Sequence, residues 1–203
     1  MKIIITGAIT LFLSVALYAQ TDDQGAEYRE FWLKTEAEFK NPDESPLSAA
    51  ERADFDSIPR YAYNPAYRVE AIWEERKLEK PFKIESTGPI RNTYQKVAVL
   101  HFAINGDSLQ LSAYKNLQMA RNPVYKNYIF IPFTDDSNGF ETYGGGRYLD
   151  FTLTEQNPEK VILDFNKTYN PYCAYNDGYS CPIPPRENNL KVKVLAGAKF
   201  EYK

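Results

Sequence analysis

The sequence is poor in the side chains that assemble metal centres and redox motifs. Its 203 residues hold one His and two Cys, so zinc sites of three His, four Cys or two of each cannot come from one chain. Neither sign of charge dominates. Lys and Arg number 24 against 27 Asp and Glu, a net charge of −3, which argues against the basic surface that nucleic-acid binding requires. Internal repeats and low-complexity tracts are absent, as are a C-x-x-C pair, a G-x-S-x-G nucleophile elbow and a complete phosphate P-loop. No cofactor and no metal are expected. What the chain does have is aromatic surface: 15% of its residues are Phe, Trp or Tyr, and 16 are Tyr. At this length it can bury a sizeable core as one domain.

One stretch, Ile3 to Ala19, carries no charge, follows Lys2 and ends on a small residue. A basic start, an apolar run and a small-residue exit predict a secretory signal peptide cleaved near Ala19. The rival reading is a retained membrane anchor. The run sits at the short limit for a span, and Thr21, Asp22 and Asp23 follow it rather than a basic cluster. The expectation is an exported domain over residues 20–203, periplasmic or extracellular, with no membrane attachment once the leader is gone.

Residues 24–40 read as an amphipathic helix. Tyr28, Phe31, Trp32 and Phe39 recur near helical spacing, while Glu27, Arg29, Glu30, Lys34 and Glu36 fill the other face. Asn41-Pro42 ends it. Ser48 and Glu51 have capping-box spacing and predict a second short helix to about Phe55, so the helical segment spans about 24–56. From Tyr67 the period changes to two. Strands are predicted near 67–74, 81–86, 93–104, 108–115, 127–133, 147–154, 160–166, 190–195 and 198–202, with Asn105-Gly106 as a hairpin turn. About nine strands without strand–helix alternation predict a mainly β fold, an antiparallel β-sandwich or barrel with one or two short N-terminal helices.

Two stretches resist a strand-and-turn reading, 132–150 and 166–189. Gly144-Gly145-Gly146-Arg147 reads either as an anion cradle or as a tight turn needing positive φ. Arg147 shares the core parity of Leu149, Phe151 and Leu153, so it needs a partner, with Asp150, Asp164 and Glu141 as candidates. Asp135 to Glu141 loosely suggests a calcium loop, but the ligand spacing fails and an Asx-type turn fits better. Cys173 and Cys181 share one irregular loop, and in an exported chain they form a disulfide or remain two thiols. His101 shares parity with Val97, Val99 and Ala103, the position of a core histidine more than of a general base. Asn166-Lys167-Thr168 matches the glycosylation sequon.

The blocks RYAYNPAYRVEA (60–71), FIPFTDDSNGFETYGGGRYLDF (130–151), LDFNKTYNPYCAYNDGYSCPIPPRENNL (163–190) and AGAKF (196–200) resemble the domain of unknown function 1684 family. The resemblance covers most of the chain after the leader and implies a bacterial or archaeal domain of this length, with no activity or cofactor attached. It concentrates attention on the two irregular stretches, which are expected to meet at one end of the β-domain.

Three functions compete. The first is binding of an unknown small molecule or glycan. Arg147 would anchor it beside Gly144, Gly145 and Gly146, Tyr143, Tyr148, Tyr172 and Tyr175 would form walls, and Asp150, Asp164 and Asn166 would add polar contacts. The second is a structural or partner-binding envelope module. The third is a hydrolase using Asp150 and Asp164 as acid and base.

Overall fold

The computed structural model describes residues 8–154 and 158–201. The first seven residues of the expected leader, and the side chains of the rest of it, lie outside the described residues.

Helix α1 (Ala8–Lys40) starts well before the expected Gln24 and ends where Asn41 N–H bonds Ala37 O at 3.0 Å, just ahead of Pro42. Among its described residues the buried side chains are Tyr28, Trp32, Glu36 and Phe39, at the i, i+4, i+8, i+11 spacing of one helix face. Glu36 departs from the expected outer face. It turns inward because Arg60 pairs with it and Ile58 N–H donates to it at 3.1 Å, which offsets the cost of burying a carboxylate. Trp32 has no exposed surface, and its indole N–H donates to Asn166 O at 3.2 Å. Helix α2 (Ala49–Ala53) carries the predicted capping box between Ser48 and Glu51.

The rest is a mainly β domain of seven antiparallel strands: β1 (Arg68–Glu75), β2 (Phe82–Lys83), β3 (Thr93–Ile104), β4 (Asp107–Asn116), β5 (Tyr128–Phe133), β6 (Arg147–Thr152) and β7 (Lys160–Asp164). They run in the order β6-β5-β4-β3-β1-β7, with β2 added on β3, and curl into a half-barrel. Asn105 and Gly106 both take positive φ, 52° and 92°, at the β3–β4 hairpin, as a tight two-residue turn requires.

One face of the sheet carries the main core: Leu100 and Phe102 of β3, Leu111 and Ala113 of β4, Ile129, Ile131 and Phe133 of β5, and Leu149 of β6. Burying each of the larger side chains contributes roughly 1.5–3 kcal/mol relative to exposure. At one end the opposite face is also apolar, with Tyr94, Tyr114, Phe130 and Tyr148 packed around Ile84. A bulge between Lys96 and Ala98 re-aims β3. His101 therefore does not lie in the core. It is half exposed on the outer face, with Nε2 2.7 Å from Glu74 of β1.

Two expected strands, 190–195 and 198–202, are absent as strands among the described residues. The segment is extended but irregular, joined by isolated bridges such as Thr134 with Asn189 and Arg60 with Ala198. The chain after β7 returns to β6, where Tyr148 N–H bonds Tyr169 O at 2.9 Å and Tyr169 N–H bonds Tyr148 O at 3.0 Å. That bridge ties the two ends of the curled sheet together.

Candidate functional site

The glycine run before β6 is a tight turn. Gly146 has φ of 86°, and a Cβ there would lie 2.6 Å from Phe133 O and 2.8 Å from Pro184 Cγ. Only glycine fits both the conformation and the space. Gly144 and Gly145 are exposed on the same turn, and Tyr143 packs edge-on against Phe200 with ring centroids 5.1 Å apart.

Arg147 follows that turn onto the core face, as its parity predicts, and has no exposed surface. Its Nη2 donates to Asp135 Oδ2 at 2.8 Å and to Val194 O at 2.7 Å, and its Nη1 donates to Ala196 O at 2.5 Å and Ala198 O at 3.3 Å. The Phe133 ring lies beneath the guanidinium, 5.6 Å from centroid to Cζ. The partner acid is Asp135, not Asp150, Asp164 or Glu141. Arg147 is enclosed on all sides, so the charge expected to anchor a ligand instead holds the fold. It also explains the missing strands. The carbonyls of residues 194, 196 and 198 point at the guanidinium and so take no part in a sheet ladder.

Asp135 is itself the head of the expected Asx-type turn. Its Oδ1 accepts from Ser137 N–H at 2.8 Å and Val194 N–H at 3.2 Å. No group of three His, Cys, Asp or Glu is placed to hold a metal among the described residues.

Asp164 and Asn166 form a second structural knot. Asp164 Oδ1 accepts from the Asn166 side chain at 2.9 Å, and that side chain also donates to Asn64 O at 3.0 Å. Arg68 and Lys167 flank Asp164 at 4.0 and 3.8 Å. Asn166 is fully buried, so in the folded chain the sequon has no accessible amide.

Asp150 lies elsewhere. It projects from β6 on the face opposite Arg147, into a cleft of about 620 Å³ between α1, the sheet and the 169–182 loop. Asp164 does not line that cleft, and the two carboxylates share no partner among the described residues. The paired-carboxylate arrangement of the hydrolase reading is not assembled.

The cleft is built from rings. Tyr94 stacks on Phe130 at 5.7 Å, Phe130 meets Tyr148 edge-on at 4.8 Å, and Tyr148 meets Tyr169 at 5.8 Å. On the opposite wall Phe39 of α1 contacts Tyr175 at 4.9 Å and Tyr172 at 6.1 Å. The Cys173–Cys181 disulfide, with Cα atoms 6.2 Å apart, clips the loop carrying Tyr172, Tyr175 and Tyr179.

At the floor, the hydroxyls of Tyr128 and Tyr169 both donate to Asp150 Oδ2. Burial pushes the Asp150 carboxyl above its ordinary range, against the pull of those two donors. Burial and the adjacent Asp150 charge push both phenols far up, so they stay protonated as donors. Burial likewise raises Tyr175, to about 12. Asp150 Oδ1 accepts no hydrogen bond among the described residues and is not sealed from solvent.

Of the expected site residues, the structure thus brings Tyr148, Asp150, Tyr172 and Tyr175 to one cleft. It places Tyr143, Gly144, Gly145, Gly146, Arg147, Asp164 and Asn166 outside its lining. Sequence reasoning missed Tyr128 and Tyr169 as the partners of Asp150. Tyr128 carried a usable signal: it shares the parity of Phe130, which lies directly opposite Asp150 in the β5–β6 pairing.

The fold and cleft define a curled antiparallel β half-barrel roofed by an N-terminal helix, with an acid recessed among tyrosines. A family model described as a protein of unknown function (DUF1684) matches residues 53–199, and the chain belongs to that family. The match takes in the whole sheet and the disulfide loop but not α1, the third wall of the cleft. The chain is also similar to an uncharacterised protein of Haloarcula marismortui solved by solution NMR, with 30% identity and a TM-score of 0.71 over 89% of this chain and 96% of that one. No curated protein matches it.

Proposed function

We propose that this domain binds a small organic molecule in the tyrosine-lined cleft, with Asp150 as its polar contact. The observation that carries the reading is Asp150: a recessed carboxyl with one oxygen fixed by two phenols and the other open to a cleft walled by rings. A concave, largely apolar site with one polar group at its base is the usual form of a small-ligand pocket. The reading keeps Tyr148, Tyr172 and Tyr175 of the expected binding site and drops Tyr143, Asp164, Asn166 and the glycine–arginine anchor. Its site of action is proposed to be outside the cytoplasm after removal of the leader at Ala19. A disulfide in the cleft wall suits an oxidising compartment. Mass spectrometry of the exported protein checks both features, through loss of residues 1–19 and a gain of two hydrogens on reduction.

The binding test uses a blocked cleft. Thr35 lies on the cleft-facing side of α1 and is partly exposed, so Thr35→Trp fills the space without removing a core side chain. Glycans, amines and aromatic acids are screened by thermal shift on wild type. A hit should lose its shift in Thr35→Trp while the melting temperature of the unliganded variant stays near wild type. Hits that bind both proteins equally would place binding elsewhere and defeat the reading.

A further inference from the structure

The ligand class can be read from what the cleft offers and what it withholds. Asp150 Oδ2 is already satisfied twice, by Tyr128 and Tyr169. Oδ1 is reachable and has no donor from the described protein. An acceptor in that state takes its donor from solvent or from a ligand that displaces the solvent. The cleft does not supply a counter-charge of its own at the floor. Its lining charges are Asp150, Glu38 and Lys34, and the last two sit on α1, with Lys34 exposed to solvent. Asp150 makes no ion pair among the described residues. The surrounding walls are the rings of Tyr94, Phe130, Tyr148, Tyr172 and Tyr175. Aromatic faces attract a desolvated cation through the ring quadrupole, and they repel an anion approaching along the same path. Phenols that remain protonated add no negative charge to compete with the carboxylate.

We propose that the cleft is a site for a protonated organic amine, whose N–H is donated to Asp150 Oδ1 while its apolar body lies against the tyrosine walls. This rests on the small-molecule reading of the same cleft and adds the charge of the ligand. An anionic ligand would meet Asp150 without a cation to offset it, and a neutral alcohol would satisfy Oδ1 with one hydrogen bond but bring no positive charge to the carboxylate or the ring faces.

The test is a pair of probes matched in shape and differing in charge. Cyclohexylammonium and cyclohexanol are titrated into the full protein and followed by the NMR shifts of the Tyr128, Asp150 and Tyr169 amides. The ammonium should bind at least about tenfold tighter than the alcohol. In Asp150→Asn the ammonium affinity should fall to that of the alcohol, which itself should hardly change. Circular dichroism and the alcohol titration together establish that the variant is folded. Equal affinities for the two probes, an ammonium response unaltered in Asp150→Asn, or no ammonium response at all would each overturn the amine assignment. Cleft shifts from the alcohol that vanish in Thr35→Trp would then leave the small-molecule reading standing, so the two failures are distinguishable.

Discussion

Consecutive strand parities of β6 carry two opposite solutions to the same problem, that of placing a charge inside an apolar domain. Arg147 points to the core face and is met there by Asp135 and three carbonyls. Asp150, three residues on and facing the other way, receives two neutral phenols and keeps one oxygen free. The first charge is paired through both Nη atoms and closed to solvent, with only its Nε left without an acceptor. The second is partly satisfied and open. A closed pair fixes a fold, because breaking it leaves a buried ion without compensation. An open one retains interaction free energy for something that arrives later. Of the two, only the second is the basis of the proposed site.

The sharpest way to break this contrast is Arg147→Ala. It strands Asp135 and three carbonyls in the core and should cost about 3–5 kcal/mol in urea unfolding. Under conditions where the variant is folded, cleft binding should be unchanged. A cost below about 1 kcal/mol, the scale of a surface ion pair, would show that the pair is not closed as described.

Reduction of Cys173–Cys181 should have the next largest effect. The bridge closes a short loop, so losing it should cost roughly 2–3 kcal/mol, measured as a fall in the urea midpoint of Cys173→Ser/Cys181→Ser. Because Tyr172, Tyr175 and Tyr179 ride on that loop, ligand affinity should fall together with stability. Arg147→Ala should separate the two quantities.

Asp150→Asn should give the smallest change, and its sign depends on pH. Burial raises the carboxyl, so the folded chain holds that proton more tightly than the unfolded chain. The resulting stabilisation is fully present below the unfolded carboxylate range and is lost as pH rises through the raised folded value. The groups facing Asp150 are Tyr128 of β5 and Tyr169 after β7, and both stay protonated throughout. The melting temperature of Asp150→Asn relative to wild type should therefore be higher near neutral pH than at about pH 4. A constant offset across that range would remove the case for a strained, open carboxylate.

Much of the fold was legible in the sequence because local patterns decide it. The change from helical to two-residue period, the Asn105-Gly106 hairpin, the Ser48–Glu51 capping box and the glycine turn before Arg147 each depend on neighbours within a few residues. What the sequence could not resolve depends on residues far apart. The partner of Arg147 is selected where the Asx turn of Asp135 meets the C-terminal segment. His101 sits in a run with apolar residues of both parities, so alternation alone cannot say which face is the core. Residues 190–200 look like strands because they are extended. Their carbonyls serve a guanidinium, a partner that period-two reading does not contain. The cleft was half legible: Asp150, Tyr148, Tyr172 and Tyr175 were named, but Arg147 and the glycines, named with them, lie outside its lining.

The bridge between Tyr148 and Tyr169 has a consequence for how occupancy and architecture are coupled. Tyr169 closes the seam of the half-barrel with its backbone and completes the Asp150 floor with its hydroxyl. Floor and seam therefore open together. A molecule seated on Asp150 acts as a clasp on that closure, since binding one state withdraws population from the other. Its presence would register as slower amide exchange at Tyr148 and Tyr169, whose N–H groups are engaged with each other's carbonyls rather than with the ligand. Under the proposed reading, the local opening free energy of the seam would gauge what the cleft holds.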